Sequence, residues 1–130
     1  MGPYITCKVA AFNLTPLDTY KYPKEVEWQI DQNNKKSYIN LAKTINNDKN
    51  ISGVIIQHEY GIFGGNEGKN ILIFMKRCKK RILVTLHTIL PKPSSKMKKI
   101  TTKIINLSTT VVVLTTNAKE IIEKINPESL

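Results

Sequence analysis

Residues 53–65 read GVIIQHEYGIFGG, an apolar run followed by a polar turn that is rich in glycine. A helical pattern of apolar residues follows from Asn70 to Cys78. A buried strand that ends in such a turn and then opens a helix is a common way for an α/β protein to build a ligand site. Backbone N–H groups at the start of that helix could then face a bound anion or sugar.

The glycine spacing separates this turn from the named phosphate loops. The pattern Gly61-x-x-Gly64-Gly65-x-x-Gly68 is not the dinucleotide G-x-G-x-x-G, and no Walker lysine follows it. Glycines can also serve a purely structural purpose, because they let a strand turn sharply into a helix. The residues alone leave both interpretations open.

Length and composition indicate one globular domain. The chain has 130 residues, 41% of them hydrophobic, which allows one modest core. The longest clean apolar run, Ile71–Met75, is far too short to span a membrane. Cys7 and Cys78 are isolated and lie in apolar patterns, so we expect reduced thiols in the core of a cytoplasmic protein.

Positive charge is concentrated in the second half of the chain. The net charge is +10, and no acidic residue occurs between Lys69 and Lys119. Such a face could bind anionic lipid, phosphorylated substrates or nucleic acid. Lysine is frequent throughout the chain, however, and most of these lysines also fit solvated helix faces. We therefore expect weak contact with an anionic membrane surface and no nucleic-acid partner.

The apolar pattern predicts alternating strands and helices. Strands are expected at residues 5–12, 26–30, 52–57, 81–86 and 110–114, and helices at residues 36–46, 67–80, 97–107 and 117–124. The later strands are continuous apolar runs, which is typical of parallel strands covered on both faces. The sequence therefore predicts an α/β fold, a Rossmann-like parallel sheet with helices on both faces.

Polar side chains follow three of these strands. His58, His87 and Thr115 each stand just beyond an apolar run. Because the carboxyl ends of parallel strands meet at one edge of a sheet, where ligands bind, these side chains are expected to line a crevice. A histidine there is suited to hydrogen bonding or to acid–base chemistry.

Several other kinds of site fit the sequence poorly. The zinc-protease motif H-E-x-x-H would need a histidine where Ile62 stands, and we expect no metal site from two histidines without a cysteine pair. Glu59 and Glu67 could be a glycosidase pair, but Glu67 is sufficiently explained as an acidic residue near a helix start. No G-x-S-x-G serine-hydrolase elbow is present.

Three segments resemble the N-terminal domain of bacterial family 4 glycosyltransferases. They are residues 57–65 (QHEYGIFGG), 84–91 (VTLHTILP) and 111–115 (VVVLT). Residues 22–26 (YPKEV) also resemble an upstream element of one subgroup. The resemblance runs from about residue 8 to the end of the chain, and its first string is the most specific.

This resemblance implies a GT-B fold, in which two Rossmann-like domains enclose a cleft. Enzymes of this kind move a sugar from a nucleotide-sugar to an acceptor with retention of configuration, usually without a metal. The likeness makes His87 the expected catalytic residue, in contact with the transferred sugar or the acceptor. The expected substrate-binding residues are His58, Gly64, Gly65, Thr88 and Thr115. No cofactor is implied, because the nucleotide-sugar is a co-substrate.

Residues 1–130 correspond to part of the family's first domain. The donor-binding domain, with its E-x7-E carboxylate pair, has no counterpart here, and the same spacing at Glu59 and Glu67 is a coincidence. The family's first strand also has no counterpart before residue 5. We therefore expect a partial, acceptor-side domain, a fragment or truncated relative of a retaining glycosyltransferase that is inactive alone.

The expected partners are a sugar acceptor and a C-terminal donor domain or partner chain. The expected location is the cytoplasm, peripheral at the inner face of the membrane. The alternative is a stand-alone basic α/β module that binds anionic lipid, glycan or nucleic acid.

Overall fold

The structure, a computed structural model, describes residues 4–14 and 20–126. In chain order its elements are β1 (Val9–Asn13), β2 (Val26–Asp31), α1 (Lys35–Asn47), β3 (Gly53–His58), a 3₁₀ turn (Asn66–Gly68), α2 (Ile71–Met75), β4 (Arg81–Leu86), α3 (Ser95–Leu107), β5 (Thr110–Val113) and α4 (Thr116–Ile125). The predicted α/β class is confirmed. Most predicted bounds agree to within one or two residues; the exceptions are the first strand and the helix after the glycine turn.

The strands form two parallel sheets, with helices around them. β1 pairs with β2, and β4 lies between β3 and β5. The sequence pattern indicates a single sheet, whereas the structure pairs neither β1 nor β2 with the other three strands. The parallel, Rossmann-like character of the fold is nevertheless confirmed.

Contacts at the strand ends show that both sheets run in the same direction. At the carboxyl end, the Asn70 side-chain amide beyond β3 donates to the backbone oxygen of Gln32 beyond β2 at 3.3 Å. At the amino end, Lys8 Nζ before β1 lies 3.6 Å from Asp48 Oδ2 before β3. The carboxyl ends of the two sheets therefore share one edge of the molecule.

One face of the three-stranded sheet forms the core. Successive side chains of a strand point to opposite faces, and Ile56, Val84 and Leu86 are buried with residues from all four helices. On the opposite face, Ile55 is 66% exposed and Val112 is 36% exposed. Burial of the first face supplies most of the hydrophobic stabilisation of this sheet.

The helix after the glycine turn is much shorter than predicted. Residues 67–80 were expected to be helical, but α2 spans only Ile71–Met75. Gly65, Glu67 and Gly68 all have positive φ angles, which a right-handed helix cannot contain. Beyond α2, the Asn46 side chain bonds to Arg77 O at 2.8 Å and to Lys79 N at 2.7 Å, and so holds the chain in a non-helical path.

The cysteine prediction is wrong for one of the two residues. Cys7 is exposed because it precedes β1 rather than lying inside it, whereas Cys78 is half-buried against the core. Both are free thiols. Among the residues that the structure describes, no helix is long and apolar enough to cross a membrane.

Candidate functional site

His58 is the last residue of β3 and is almost completely buried, with 1% of its surface exposed. Its ring stacks on Phe63, with centroids 5.7 Å apart, and meets the edge of Tyr60 at 5.0 Å. Neither ring nitrogen has a hydrogen-bond partner within the described part of the chain. Buried polar groups are nearly always paired, so this unpaired imidazole is unusual, and because both of its nitrogens are buried they are not accessible to a ligand.

The environment of His58 keeps its imidazole neutral. Burial lowers its pKa from 6.5 to about 4, because a charged ring is costly in a poorly solvated position. Glu59 acts in the opposite direction, and His87 lowers the pKa a little further. At neutral pH the ring therefore offers one hydrogen-bond donor and one acceptor, and carries no charge.

His87 follows β4 and is exposed at the same sheet edge. Its Nε2 lies 2.6 Å from the amide oxygen Oε1 of Gln57 on β3. An amide oxygen only accepts hydrogen bonds, so Nε2 is the donor and Nδ1 is left as an acceptor. The backbone N–H of His87 also donates to His58 O at 3.1 Å, which extends the ladder between β3 and β4.

The two histidines leave the sheet on different faces. Gln57, which holds His87, is exposed, while its neighbour His58 points into the core beside Phe63. The sequence places both residues in one crevice, and the structure confirms that they share an edge. Only His87 presents its ring to solvent.

Thr88 and Glu59 form a second pair across the ends of β3 and β4. The Thr88 hydroxyl lies 2.8 and 2.7 Å from the two carboxylate oxygens of Glu59 and donates to them. Both side chains are half-buried. A carboxylate has more acceptor capacity than one hydroxyl can use, so Glu59 can still accept from the hydroxyls of a bound molecule.

Gly64 and Gly65 are explained by packing. A Cβ on Gly64 would lie 2.0 Å from the backbone oxygen of Gln32, and Gly65 has φ +80. The Gly64 N–H donates to the Tyr38 hydroxyl at 3.2 Å. These glycines therefore join the turn to the end of β2 and the start of α1, a role that requires no ligand.

The backbone of the turn is not arranged as an anion site. One of the two interpretations left open by the sequence has N–H groups at the start of the next helix facing a ligand, but the Asn70 N–H donates to Gly64 O at 3.0 Å. The N–H groups of Leu72 and Ile73 also bond within the turn, to Lys69 O and Asn70 O. Of the two interpretations that the sequence leaves open, these bonds favour the structural one, because the turn uses these donors itself.

Thr115 lies two residues beyond β5, at the level of the other strand ends. Its hydroxyl caps α4 by accepting from the Ala118 N–H at 3.0 Å. The residue is exposed, and its hydroxyl proton remains available to a ligand. Thr115 thus extends the polar edge past β5.

Sequence reasoning missed Gln57 as a member of this edge and considered Glu59 only as half of a possible glycosidase pair. Both are polar and next to His58, which is the signal that could have indicated them. Their partners, His87 and Thr88, come directly after β4. They are brought opposite Gln57 and Glu59 by the strand register that pairs His58 with Leu86. Within residues 4–14 and 20–126, no group of three or more His, Cys, Asp or Glu side chains is placed to hold a metal ion.

Comparison of the chain with protein-family models, with curated proteins and with solved structures found no match.

Proposed function

We propose that this chain is the acceptor-side domain of a retaining glycosyltransferase, and that it binds the sugar acceptor at the carboxyl edge of β3, β4 and β5. The observation that best supports the proposal is the pair of hydrogen bonds between neighbouring strand ends, His87 to Gln57 and Thr88 to Glu59. Each bond orients a group that suits sugar hydroxyls. The resemblance of residues 57–65 and 84–91 to family 4 glycosyltransferases supplies the reaction.

The side chains of this edge have distinct roles in the proposal. His87 accepts a hydrogen bond from an acceptor hydroxyl through Nδ1, while Gln57 holds the ring in the required tautomer. Glu59 accepts from a second hydroxyl and is held by Thr88. His58 makes no contact with the acceptor in the proposal, because both of its ring nitrogens are buried; it packs beneath the edge against Phe63. Orientation of this kind is a recognised source of rate enhancement in group transfer.

The nucleotide-sugar donor is assigned to a second domain, in the same polypeptide or in a partner chain. Residues 1–130 should therefore bind an acceptor but transfer no sugar alone. Transfer of sugar by the purified 130-residue chain would contradict this assignment. An antibody against these residues offers a further test, because a two-domain enzyme should appear in the source cells as a polypeptide of roughly 300–400 residues.

The proposed location is the cytoplasm, with peripheral contact at the inner face of the membrane. Two free cysteines are compatible with a reducing compartment. The net charge of +10 favours weak association with acidic lipids.

A further inference from the structure

A groove of about 450 Å³ opens beside α2 and α3, and its lining includes none of the side chains assigned to the acceptor site. Its floor is formed by three aliphatic side chains, Leu72, Ile73 and Ile100. Among the described residues, the lining contains no acidic side chain and six lysines: Lys35, Lys69, Lys76, Lys96, Lys99 and Lys103. We call this feature the lysine groove.

The lysines stand on both sides of the aliphatic floor. Lys96, Lys99 and Lys103 follow one another at three- and four-residue intervals along α3, so they lie on one helix face. Lys69 and Lys76 flank α2 at its two ends. The lysine groove is therefore a concave surface with positive charge along two walls.

Within residues 4–14 and 20–126, no carboxylate forms an ion pair with any of these six lysines. The ion pairs among the described residues involve only Lys8 and Lys119. Lys35 and Lys96 lie in the first turns of α1 and α3, which contain no acidic residue. Positive charge at a helix N-terminus is unfavourable, so these lysines oppose the stability of their own helices. An anion bound beside these two helix N-termini would relieve this unfavourable charge.

We propose that the lysine groove binds a ligand that carries two or more clustered phosphate groups. Six ammonium groups around a small concave volume match a compact polyanion better than a single charge, and lysine is a common phosphate ligand. The aliphatic floor accommodates an apolar part of the same ligand. The inference goes beyond the proposed acceptor site, because the groove shares no residue with the groups at the strand ends.

The lining argues against single-stranded nucleic acid. Proteins that bind single strands stack the bases on aromatic side chains, and none of the described residues that line this groove is aromatic. A free oligophosphate and a phospholipid headgroup both carry phosphate groups of this kind. The experiment must therefore distinguish these two possible ligands.

The test uses the full 130-residue chain labelled with ¹⁵N. Inorganic tripolyphosphate and, separately, oligouridylate are titrated at low salt and followed by amide chemical shifts. Binding to phosphatidylcholine vesicles with and without cardiolipin is measured by flotation. The test variant is Lys96→Gln/Lys99→Gln/Lys103→Gln. The control, Lys43→Gln/Lys49→Gln/Lys98→Gln, removes the same charge outside the groove. Thermal melts confirm that both variants remain folded.

We expect tripolyphosphate to shift residues 69–76 and 96–103. Affinity should fall by at least ~10-fold in the test variant and by less than ~2-fold in the control, because site-specific contacts exceed general charge attraction. Binding to cardiolipin vesicles alone, with the same dependence on the variants, would support a lipid headgroup as the source. Equal losses in both variants, no binding to either probe, or tighter binding of oligouridylate through the same lysines would overturn the proposal.

Discussion

The Nε2 atom of His87 and the Oε1 atom of Gln57 lie 2.6 Å apart and connect the ends of two neighbouring parallel strands. This contact fixes the orientation of an exposed imidazole, which would otherwise rotate freely. It also leaves Nδ1 as the free acceptor. Removing either partner should therefore change the chemistry at the edge without disturbing the core.

We predict that Gln57→Ala releases the His87 ring. The ring ¹⁵N shifts at neutral pH should change from those of a fixed Nε2–H tautomer to those of a tautomer mixture, because Gln57 Oε1 no longer accepts a hydrogen bond from Nε2–H. The free energy of unfolding should change by less than ~0.5 kcal/mol, since Gln57 is exposed. Asn47→Ala, at an exposed site on α1, is the control. Unchanged His87 shifts in Gln57→Ala would argue against the contact.

The neutral, buried His58 should make the protein less stable in acid. Its folded-state pKa is about 4, against 6.5 for an unperturbed histidine, so the unfolded chain takes up the proton first. Above pH 6.5 this group should leave the free energy of unfolding unchanged. As the pH drops toward about 4 the free energy of unfolding should fall, and the loss should reach roughly 2 kcal/mol at about pH 5.

Comparison with His58→Phe isolates this effect. Phenylalanine can stack on Phe63 and removes both unpaired nitrogens, so the variant should gain about 1–2 kcal/mol at neutral pH. Denaturant unfolding of both proteins between about pH 7 and about pH 5 should show that the difference between their free energies of unfolding grows as the pH falls. A gap that stays constant across this range would mean that His58 already titrates normally in the folded state.

Gly64 should not tolerate a side chain. A Cβ there would lie 2.0 Å from Gln32 O, so Gly64→Ala must displace backbone and should cost about 3 kcal/mol or more. Gly61→Ala is the matched control, because no atom lies within 4 Å of its Cβ position. Thermal or denaturant unfolding measures both changes. Equal effects of the two substitutions would show that the turn does not pack against Gln32.

The neighbours Ile55 and Ile56 should respond very differently to truncation. Ile56→Ala should cost about 2–5 kcal/mol, because Ile56 is 6% exposed and lies in the core. Ile55→Ala should cost less than ~1 kcal/mol, since its side chain is mostly solvated. The measurement is again the free energy of unfolding. A large cost at position 55 would mean that this face of the sheet is covered in solution.

The strands could be predicted because the order of apolar and polar residues along a strand reflects which of its own side chains are buried. The run 81–86 is strand β4 to the residue, and the alternation around Trp28 marks β2. The division into two sheets could not be predicted, because pairing between distant strands leaves no mark in one sequence. The helix after Gly65 was overestimated, since periodicity cannot show that Glu67 adopts a left-handed conformation.

The candidate site was only partly predictable for a related reason. Polar residues after apolar runs correctly mark the carboxyl edge, so His58, His87 and Thr115 could be named. The partners Gln57 and Glu59 depend on strand register, and the burial of His58 depends on Phe63 folding back over it. The lysine groove could not be predicted either, since its walls come from separate helices and the sequence does not show that these helices lie side by side.

Sugar binding at the strand edge tests the central claim most directly. The ¹⁵N-labelled chain is titrated with a panel of methyl glycosides, and the His87→Ala variant is titrated in parallel. We predict that at least one glycoside shifts the amides of residues 57–61, 87–90 and 115–118, and that His87→Ala loses these shifts while the rest of its spectrum is preserved. Shifts scattered over the surface, or equal responses in the parent and the variant, would contradict an acceptor site at this edge.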